Sequence, residues 1–314
     1  MAYLCKTDLP KEYDVYPYIS ADRFTDKLKN KTVVITGAST GIGKATALAF
    51  AAAGANIALV ARRKPLLNEL VAEVKKKHGE SVKAVAVQAD LSEREAPKQV
   101  VAQVEQALGP IDILVNSAAA QIFGRFQDID FEDWWTTFEL NMRAPAAMVY
   151  AVLPSMTARK SGIIINIGST SGAYSIPWQT SYAVPKAALI KFNQNIAWEL
   201  EPYGILTFCV HPGNVQTDLA NKGFEAASIQ FQEKQGFITP KVQELLTPYQ
   251  NPDLKMQTPE LSANTIVALC ADERCKILHG LYIDSEQNLD KVLEAAEKGR
   301  VKDEKLYLLK VEEV

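Results

Sequence analysis

The sequence predicts an α/β protein, with one doubly wound parallel sheet flanked by helices. From Lys31 onward, short β-branched runs alternate with longer helical patterns, which is typical of parallel strands joined by crossover helices. Several runs, such as IDILVN, GIIINIG and ILTFCV, are apolar almost throughout, as in strands that are covered on both faces. A glycine-rich stretch, TGASTGIG, joins the first run to the first helical pattern.

Strands and helices are predicted to alternate along the chain. The β-branched runs TVVIT, NIALV and VKAVAVQ predict the first three strands, at 32–36, 56–60 and 82–88. An alanine-rich stretch, a charged amphipathic stretch and a third helical pattern predict helices at 42–53, 65–78 and about 93–108. The apolar runs and a final GLYID predict strands at 111–116, 162–168, 205–210 and 280–284. Long helices are predicted at 132–158 and 181–201.

A single domain is favoured, because the chain shows no internal repeat, low-complexity tract or linker. Residues 1–30 are predicted to form a polar, aromatic-rich arm before one domain over 31–314, with a C-terminal tail from about 285. The segment 219–258 is polar, contains several prolines and breaks the alternation. It is predicted to be a loop or lid over a site rather than core.

Charge and composition argue against several classes of protein. The formal net charge of −3 provides no basic surface for nucleic acid or an anionic membrane. No apolar run approaches the roughly 20 residues of a membrane helix, and the N-terminus lacks the apolar core of a secretion signal. No metal site is predicted, because metal-ligand spacing is missing among Cys5, Cys209, Cys270, Cys275, His78, His211 and His279. Free thiols fit a reducing compartment, so the protein is predicted to be cytoplasmic.

The glycine-rich stretch has the context of a dinucleotide-binding turn, because a strand precedes it and a helix follows it. Glycines at these positions allow a tight turn and let backbone N–H groups approach a pyrophosphate at the helix N-terminus. The predicted fold is therefore Rossmann-type, although a merely tight turn is the alternative. The cofactor contacts expected in this stretch are Gly37, Ser39, Thr40, Gly41, Ile42 and Gly43.

The end of the second strand bears on which dinucleotide is bound. A carboxylate at this point usually accepts from the ribose 2′-OH of NAD. Here Ala61 occupies the position, and Arg62, Arg63 and Lys64 follow it. Because guanidinium groups suit a 2′-phosphate, NADP(H) is the predicted cofactor, with Arg62 and Arg63 as contacts. The alternative is that these cations only solvate the start of a helix.

Further motifs are Asn116, Ser169 and the spaced pair Tyr182-x-x-x-Lys186. Together with the glycine turn, they make the chain resemble the short-chain dehydrogenase/reductase family over about residues 30–285. The resemblance implies a catalytic tetrad of Asn141, Ser169, Tyr182 and Lys186. It also implies that Asp90 lies near the adenine and that Asn116 braces the sheet. The remaining cofactor contacts that it implies are Leu91, Ala118, Pro212, Gly213, Val215 and Thr217, besides Tyr182 and Lys186.

Three features depart from the family pattern. The family's Asn-Asn-Ala-Gly stands here as Asn116-Ser117-Ala118-Ala119, Pro185 precedes the lysine in place of a small residue, and the arm exceeds the minimal core. None of these removes a group that does chemistry. The tail ending KLYLLKVEEV is similar to fungal members.

The tetrad suits the reduction of a carbonyl, which needs a proton donor besides a hydride. A phenol with a pKa of about 10 is a poor acid–base group at neutral pH. Lys186, one helical turn from Tyr182, and the charge of an oxidised nicotinamide are expected to lower the Tyr182 pKa. Ser169, at the end of an apolar strand, is expected to donate to the substrate oxygen. Taken singly, Tyr182 is better explained as a packed aromatic side chain and Ser169 as a turn residue, so the catalytic interpretation depends on their combination.

Asn141 is followed by Pro145, which lacks the N–H that would bond the Asn141 carbonyl. That carbonyl is therefore free to hold a water linked to Lys186, which is the relay that the resemblance implies. A simple proline kink is the alternative.

Pro185 lies between Tyr182 and Lys186 and cannot donate a helical hydrogen bond. It is predicted to mark a helix start, with Thr180 or Ser181 as the N-cap. Tyr182 and Lys186 would then share one helix face.

These predictions combine into an NADP(H)-dependent oxidoreductase that reduces a ketone or aldehyde to an alcohol, or catalyses the reverse. A non-redox lyase or isomerase using the same Tyr–Lys pair and an NADP(H)-binding regulatory protein are the alternatives. The substrate is predicted to be a small molecule that binds between 121–123, 174–178 and 219–258. The resemblance also implies a homodimer or homotetramer formed through the two long helices.

Overall fold

The protein, seen in a computed structural model, contains one sheet of seven parallel strands in the order β3-β2-β1-β4-β5-β6-β7. The structure describes residues 11–215, 217–219, 221 and 255–303. The strands are β1 Thr32–Thr36, β2 Asn56–Ala61, β3 Ala84–Gln88, β4 Ile113–Asn116, β5 Gly162–Ile167, β6 Ile205–His211 and β7 Tyr282–Asp284. The prediction of a doubly wound α/β fold in a single domain is confirmed.

Helices cover both faces of the sheet. They are α1 Gly41–Ala52, α2 Lys64–His78, α3 Ala96–Leu108, α4 Phe131–Asn141, α5 Arg143–Arg159, α6 Thr180–Leu200, α7 Pro259–Ala271, α8 Leu289–Glu297 and α9 Arg300–Asp303. Successive residues of a strand face opposite layers. Val33 accordingly packs in the core shared with α1, α2 and α7, whereas Val34 packs in the core shared with α3, α5 and α6.

The strand order reverses between β1 and β4. From β1 the sheet grows through β2 to β3 in one direction, and from β4 it grows through β5 and β6 to β7 in the other. Loops leaving the carboxyl ends of these strands diverge and leave a crevice, which is where open α/β sheets bind ligands. The glycine-rich turn leaves β1 at this point, and Asn116 ends β4 beside it.

The prediction of one helix over 132–158 is wrong, because the chain forms two helices that meet at Met142. The backbone of Met142 lies outside the helical region, at φ −125° and ψ −56°. Its N–H still bonds the Phe138 carbonyl at 3.0 Å, so α4 closes normally before α5 begins. Pro145 accounts for the break, since it lacks the N–H that would bond the Asn141 carbonyl.

Helix α7 was not predicted. All residues from Leu261 to Leu269 are buried, between the sheet, α1 and the N-terminal segment. A helix that is buried all round lacks the apolar stripe by which an amphipathic helix is recognised in a sequence. Thr258 caps it, since its side chain accepts from the Leu261 N–H.

The described part of the N-terminal arm packs into the core of the domain. Ile19 and Phe24 are buried in the same cluster as Phe50 of α1. The Tyr18 hydroxyl donates to Asp272 at 2.8 Å, which ties the arm to the residue after α7. Most of the predicted lid at 219–258, and the tail beyond residue 303, lie outside the described residues. No helix in the described ranges has both the length and the apolar character to cross a membrane.

Candidate active site

The glycine-rich turn is packed so closely that side chains would not fit. Gly37 has a positive φ of 68°, and a Cβ there would lie 2.8 Å from the Ala118 Cα. A Cβ on Gly43 would lie 2.3 Å from the Gly37 carbonyl oxygen. The Thr36 hydroxyl accepts from the N–H groups of Ser117 and Ala118, at 3.0 and 3.1 Å, and holds the neighbouring loop against the turn. The turn thus presents the bare N-terminus of α1 to the crevice, as phosphate binding requires.

A cavity of about 450 Å³ extends from this turn to the Tyr182–Lys186 pair. Every predicted cofactor contact lines it except Asn116, Gly213 and Val215. Its walls also include Leu140 and Asp218, which the sequence did not single out. The side chains that the sequence suggested for a dinucleotide therefore surround one elongated space.

The two arginines after β2 point to different partners. Arg63 donates through Nη2 to the hydroxyls of Ser39 and Thr40, each at 3.1 Å. Arg62 lies 3.9 Å from the Asp90 carboxylate. Burial disfavours the charged form of Asp90, but hydrogen bonds from Ser92 and the Arg62 charge outweigh it and lower the Asp90 pKa. Arg63 is thus the arginine beside the glycine-rich turn, and Arg62 faces the Asp90 loop.

Tyr182 and Lys186 lie on one face of α6, with the Lys186 Nζ 5.5 Å from the centre of the Tyr182 ring. Lys186 is buried and donates to the Ile167 carbonyl at 2.6 Å. Burial lowers the Lys186 pKa to about 8. Burial also raises the Tyr182 pKa, and the hydrogen bond from Ser169 opposes that rise. Desolvation is the largest effect on the Tyr182 pKa among the protein groups, so the lowering expected from Lys186 together with an oxidised nicotinamide stays a prediction.

Ser169 is held by the turn that follows β5. Its Oγ accepts from the Ser171 N–H at 3.1 Å, which leaves the hydroxyl proton available for donation. Gly172 closes the turn against α6, since a Cβ there would lie 2.6 Å from the Ala187 N. This close approach holds the turn that follows Ser169 against the helix that carries Tyr182.

Asn141 is buried at the end of α4 and uses its side chain to hold a loop. Its amide donates to the carbonyls of Ala120 and Thr137, at 2.7 and 2.9 Å. Its Oδ1 accepts from the Ala120 N–H at 3.3 Å. Lys186 donates to Ile167 rather than to Asn141, so a relay between Asn141 and Lys186 would need an intervening water.

Asn116 belongs to a chain of buried amides that crosses the sheet. It donates to Asn166 Oδ1 at 2.9 Å and to the Pro145 carbonyl at 3.3 Å. Asn166 in turn donates to Asn193 of α6 at 3.1 Å. Sequence reasoning did not single out Asn166 or Asn193, although an asparagine inside the apolar run IIINI is a usable signal.

Pro185 lies in the second turn of α6, because the helix begins at Thr180 with Gln179 in the N-cap position. The prediction of Thr180 or Ser181 as the N-cap is therefore wrong. The Ser181 hydroxyl, which would otherwise cap the helix, donates to the Ile122 carbonyl at 2.8 Å. Pro185 thus omits one hydrogen bond inside the helix, the bond to the Ser181 carbonyl.

The loop after β6 contributes Pro212 and Thr217 to the wall of the cavity. Gly213 has a positive φ of 89°, and Gln257 packs against it. Asn214 donates to Gln257 Oε1 at 2.8 Å, and Val215 forms a parallel bridge with Gln257. The Thr217 methyl packs over the glycine-rich turn, 3.0 Å from where a Cβ on Gly41 would lie.

Comparison with known proteins decides the family. The short chain dehydrogenase family matches residues 31–228. The chain belongs to the short-chain dehydrogenase family. It is therefore an oxidoreductase of a family that uses NAD(P), and the predicted membership is confirmed.

The relatives of this short-chain dehydrogenase include fungal proteins and a reductase of known structure. A short chain dehydrogenase of Pseudocercospora fijiensis is 42% identical over 310 residues, which cover 97% of each chain. A short chain dehydrogenase of Monascus ruber is 31% identical, over 88% of this chain and 87% of that protein. L-sorbose reductase from Gluconobacter frateurii, solved with NADPH and L-sorbose, is 31% identical with a TM-score of 0.69. That match covers 82% of this chain and 95% of the reductase.

Among the described residues, no group of three or more His, Cys, Asp and Glu side chains is arranged to hold a metal ion. Cys209, Cys270 and Cys275 are free. Cys209 is buried near Lys186, and burial raises its pKa to about 12, so it is held as a neutral thiol.

Proposed function

We propose that this protein is an NADP(H)-dependent oxidoreductase that reduces a ketone or aldehyde to an alcohol, or catalyses the reverse. The proposal rests on one observation: a single cavity connects the glycine-rich turn with the Tyr182–Lys186 pair. The glycine-rich turn, where other side chains would not fit, lies at one end. Tyr182 lies at the other end, one helical turn from Lys186.

The protein groups suit proton donation to a carbonyl oxygen. Ser169 donates to the substrate oxygen and polarises the carbonyl. Tyr182 then gives its proton to the developing alkoxide, and its raised pKa keeps the phenol protonated until that step. Lys186 is positively charged below a pH of about 8 and stabilises the phenolate that remains. Bound nicotinamide supplies or accepts the hydride.

NADP(H) is favoured over NAD(H) by the groups beside the turn. Arg63, Ser39 and Thr40 bring a guanidinium and two hydroxyls to one place, and all three are donors that suit a phosphate. Ala61 offers no carboxylate to a ribose 2′-OH. Asp90 and Leu91 line the end of the cavity where the adenine would bind.

Asn141 completes the proposed tetrad by holding the loop at Ala120, which precedes the predicted substrate-facing residues 121–123. The substrate is a small carbonyl compound or alcohol. The activity is tested by following NADPH oxidation by its absorbance with a panel of ketones and aldehydes, with NADH in parallel. NADPH binding without turnover of any carbonyl or alcohol would contradict the proposal and favour a sensing role.

The protein is proposed to form a homodimer or homotetramer through α5 and α6. Tyr150 on α5 and Trp198 on α6 are 80% and 78% exposed, although large aromatic side chains are usually covered. Size-exclusion chromatography with light scattering tests the assembly, and Trp198→Glu is expected to shift it toward a smaller species.

A further inference from the structure

His211 connects the end of the sheet to the turn that carries Ser169. It is the last residue of β6 and is 3% exposed. Its Nδ1 accepts from the backbone N–H of Thr170 at 3.4 Å, and Thr170 directly follows Ser169. The ring thus touches the backbone next to a proposed catalytic hydroxyl, from a residue 41 positions away in the chain.

The contact defines the tautomer of the ring. A nitrogen that accepts from a backbone N–H carries no proton itself, so the proton of the neutral ring is on Nε2. Nε2 lies 4.0 Å from Glu286 Oε1, and both side chains are buried. Lys11 pairs with the other Glu286 oxygen and compensates the carboxylate charge.

Other titratable groups also surround the ring. The Tyr282 ring stacks on it, with centres 6.5 Å apart and planes 14° apart. Asp284 lies near His211 and Glu286, and burial raises the Asp284 pKa. In the described part of the chain, the ionisable neighbours of His211 are therefore Glu286, Asp284, Lys11 and Tyr282.

We propose that His211 is a positioning residue for Ser169. Its neutral ring, as the Nε2–H tautomer, holds the Thr170 N–H and so orients the Ser169 hydroxyl toward the substrate oxygen. This inference rests on the proposed carbonyl reduction.

Two substitutions separate the two ring nitrogens. In His211→Asn the amide oxygen takes the place of Nδ1 as an acceptor for Thr170. In His211→Gln the longer side chain puts its polar end near Nε2 and leaves the Thr170 N–H without an acceptor. We expect His211→Asn to keep kcat within about threefold of the wild type at pH 7.

We expect His211→Gln to lose about tenfold or more in kcat at pH 7, while KM for NADPH stays within about twofold. His279 provides a matched control, because its Nδ1 accepts from the Thr207 N–H at 3.0 Å at the opposite end of β6. His279→Asn should leave kcat unchanged. Equal losses in both His211 variants would overturn the proposal.

15N NMR of wild-type protein labelled in its imidazole rings measures the tautomer and needs no turnover. The His211 signal is assigned by its loss in His211→Asn. An Nε2–H ring at pH 7.5 is expected, and an Nδ1–H ring overturns the proposal even if carbonyl reduction is established. If the protein turns over no carbonyl compound or alcohol, that result counts against the proposed function. The NMR measurement still decides the tautomer of His211 in that case.

Discussion

Lys186 donates a 2.6 Å hydrogen bond to the Ile167 carbonyl while its Nζ lies 5.5 Å from the centre of the Tyr182 ring. The carbonyl at the end of β5 thus sets the position of the ammonium group relative to the phenol. Ser169, two residues beyond Ile167, is the side chain that opposes the rise in the Tyr182 pKa caused by burial. The end of β5 therefore carries groups that bear on both Lys186 and Tyr182.

Replacement of Tyr182 by Phe is expected to reduce kcat by about 10²–10⁴-fold, since it removes the proton donor. NADPH affinity should change less than about twofold, because the hydroxyl acts in the transition state rather than in cofactor binding. Steady-state kinetics and fluorescence titration measure the two effects. Tyr203→Phe, at a residue that is 42% exposed, is the control and should resemble the wild type. Activity of Tyr182→Phe above roughly a tenth of wild type would exclude this role.

The two arginines are expected to contribute unequally to the choice of cofactor. Arg63→Ala should weaken NADPH binding by about tenfold or more, as for loss of a charge-assisted hydrogen bond to phosphate. Arg62→Ala should have a smaller effect, because Arg62 lies beside Asp90 rather than beside Ser39 and Thr40.

NADH serves as the control ligand for these arginine variants, since it lacks the 2′-phosphate. Its affinity should change little in Arg63→Ala. Equal losses for NADPH and NADH would show that Arg63 supports the fold of the turn rather than contacting the phosphate.

The buried ammonium of Lys186 is expected to make stability depend on pH. Its pKa is about 8 in the folded protein, against an ordinary lysine value of 10.5, so the unfolded chain binds more protons between these limits. Stability from this group therefore rises with pH from about 8 to 10.5, with a maximal slope of roughly 1.4 kcal/mol per pH unit.

Urea unfolding without cofactor at pH 7 to 10, on wild type and Lys186→Met, measures this dependence. The difference between the two proteins isolates Lys186 from tyrosines and cysteines that titrate in the same range. The wild type should gain stability relative to the variant above pH 8. A difference that stays constant or falls would mean that the ammonium remains charged in the folded protein.

Pro185→Ala is expected to be tolerated, even though the proline lies inside α6. The alanine N–H regains the bond to the Ser181 carbonyl, worth about 1 kcal/mol, while loss of the proline restriction on the unfolded chain costs about 0.4–1 kcal/mol. Thermal unfolding should therefore change little, and kcat should fall no more than a few-fold. Pro154→Ala in α5 is a matched control, since Pro154 is also inside a helix but more exposed to solvent. A hundredfold loss of kcat with an unchanged Tm would show that Pro185 sets the position of Tyr182.

Much of this fold follows from short-range patterns. The β-branched runs predicted seven strands that all exist, because extended backbone is favoured by side chains only a few residues apart. The glycine-rich turn and the four-residue spacing of Tyr182 and Lys186 were visible for the same reason. Their geometry depends on one turn of backbone and needs no distant partner.

Only the tertiary structure decided which partners these side chains meet. Arg62 and Arg63 are neighbours in the chain, yet Arg62 lies beside Asp90 and Arg63 beside Ser39 and Thr40. The contacts of Lys186 with Ile167 and of His211 with Thr170 join segments 19 and 41 residues apart. Such contacts depend on strand order and on the register of parallel strands, which are set by packing across the whole sheet. Burial has the same origin, so the raised pKa of Tyr182 and the uniformly buried helix α7 were decided by the packed core and not by local sequence.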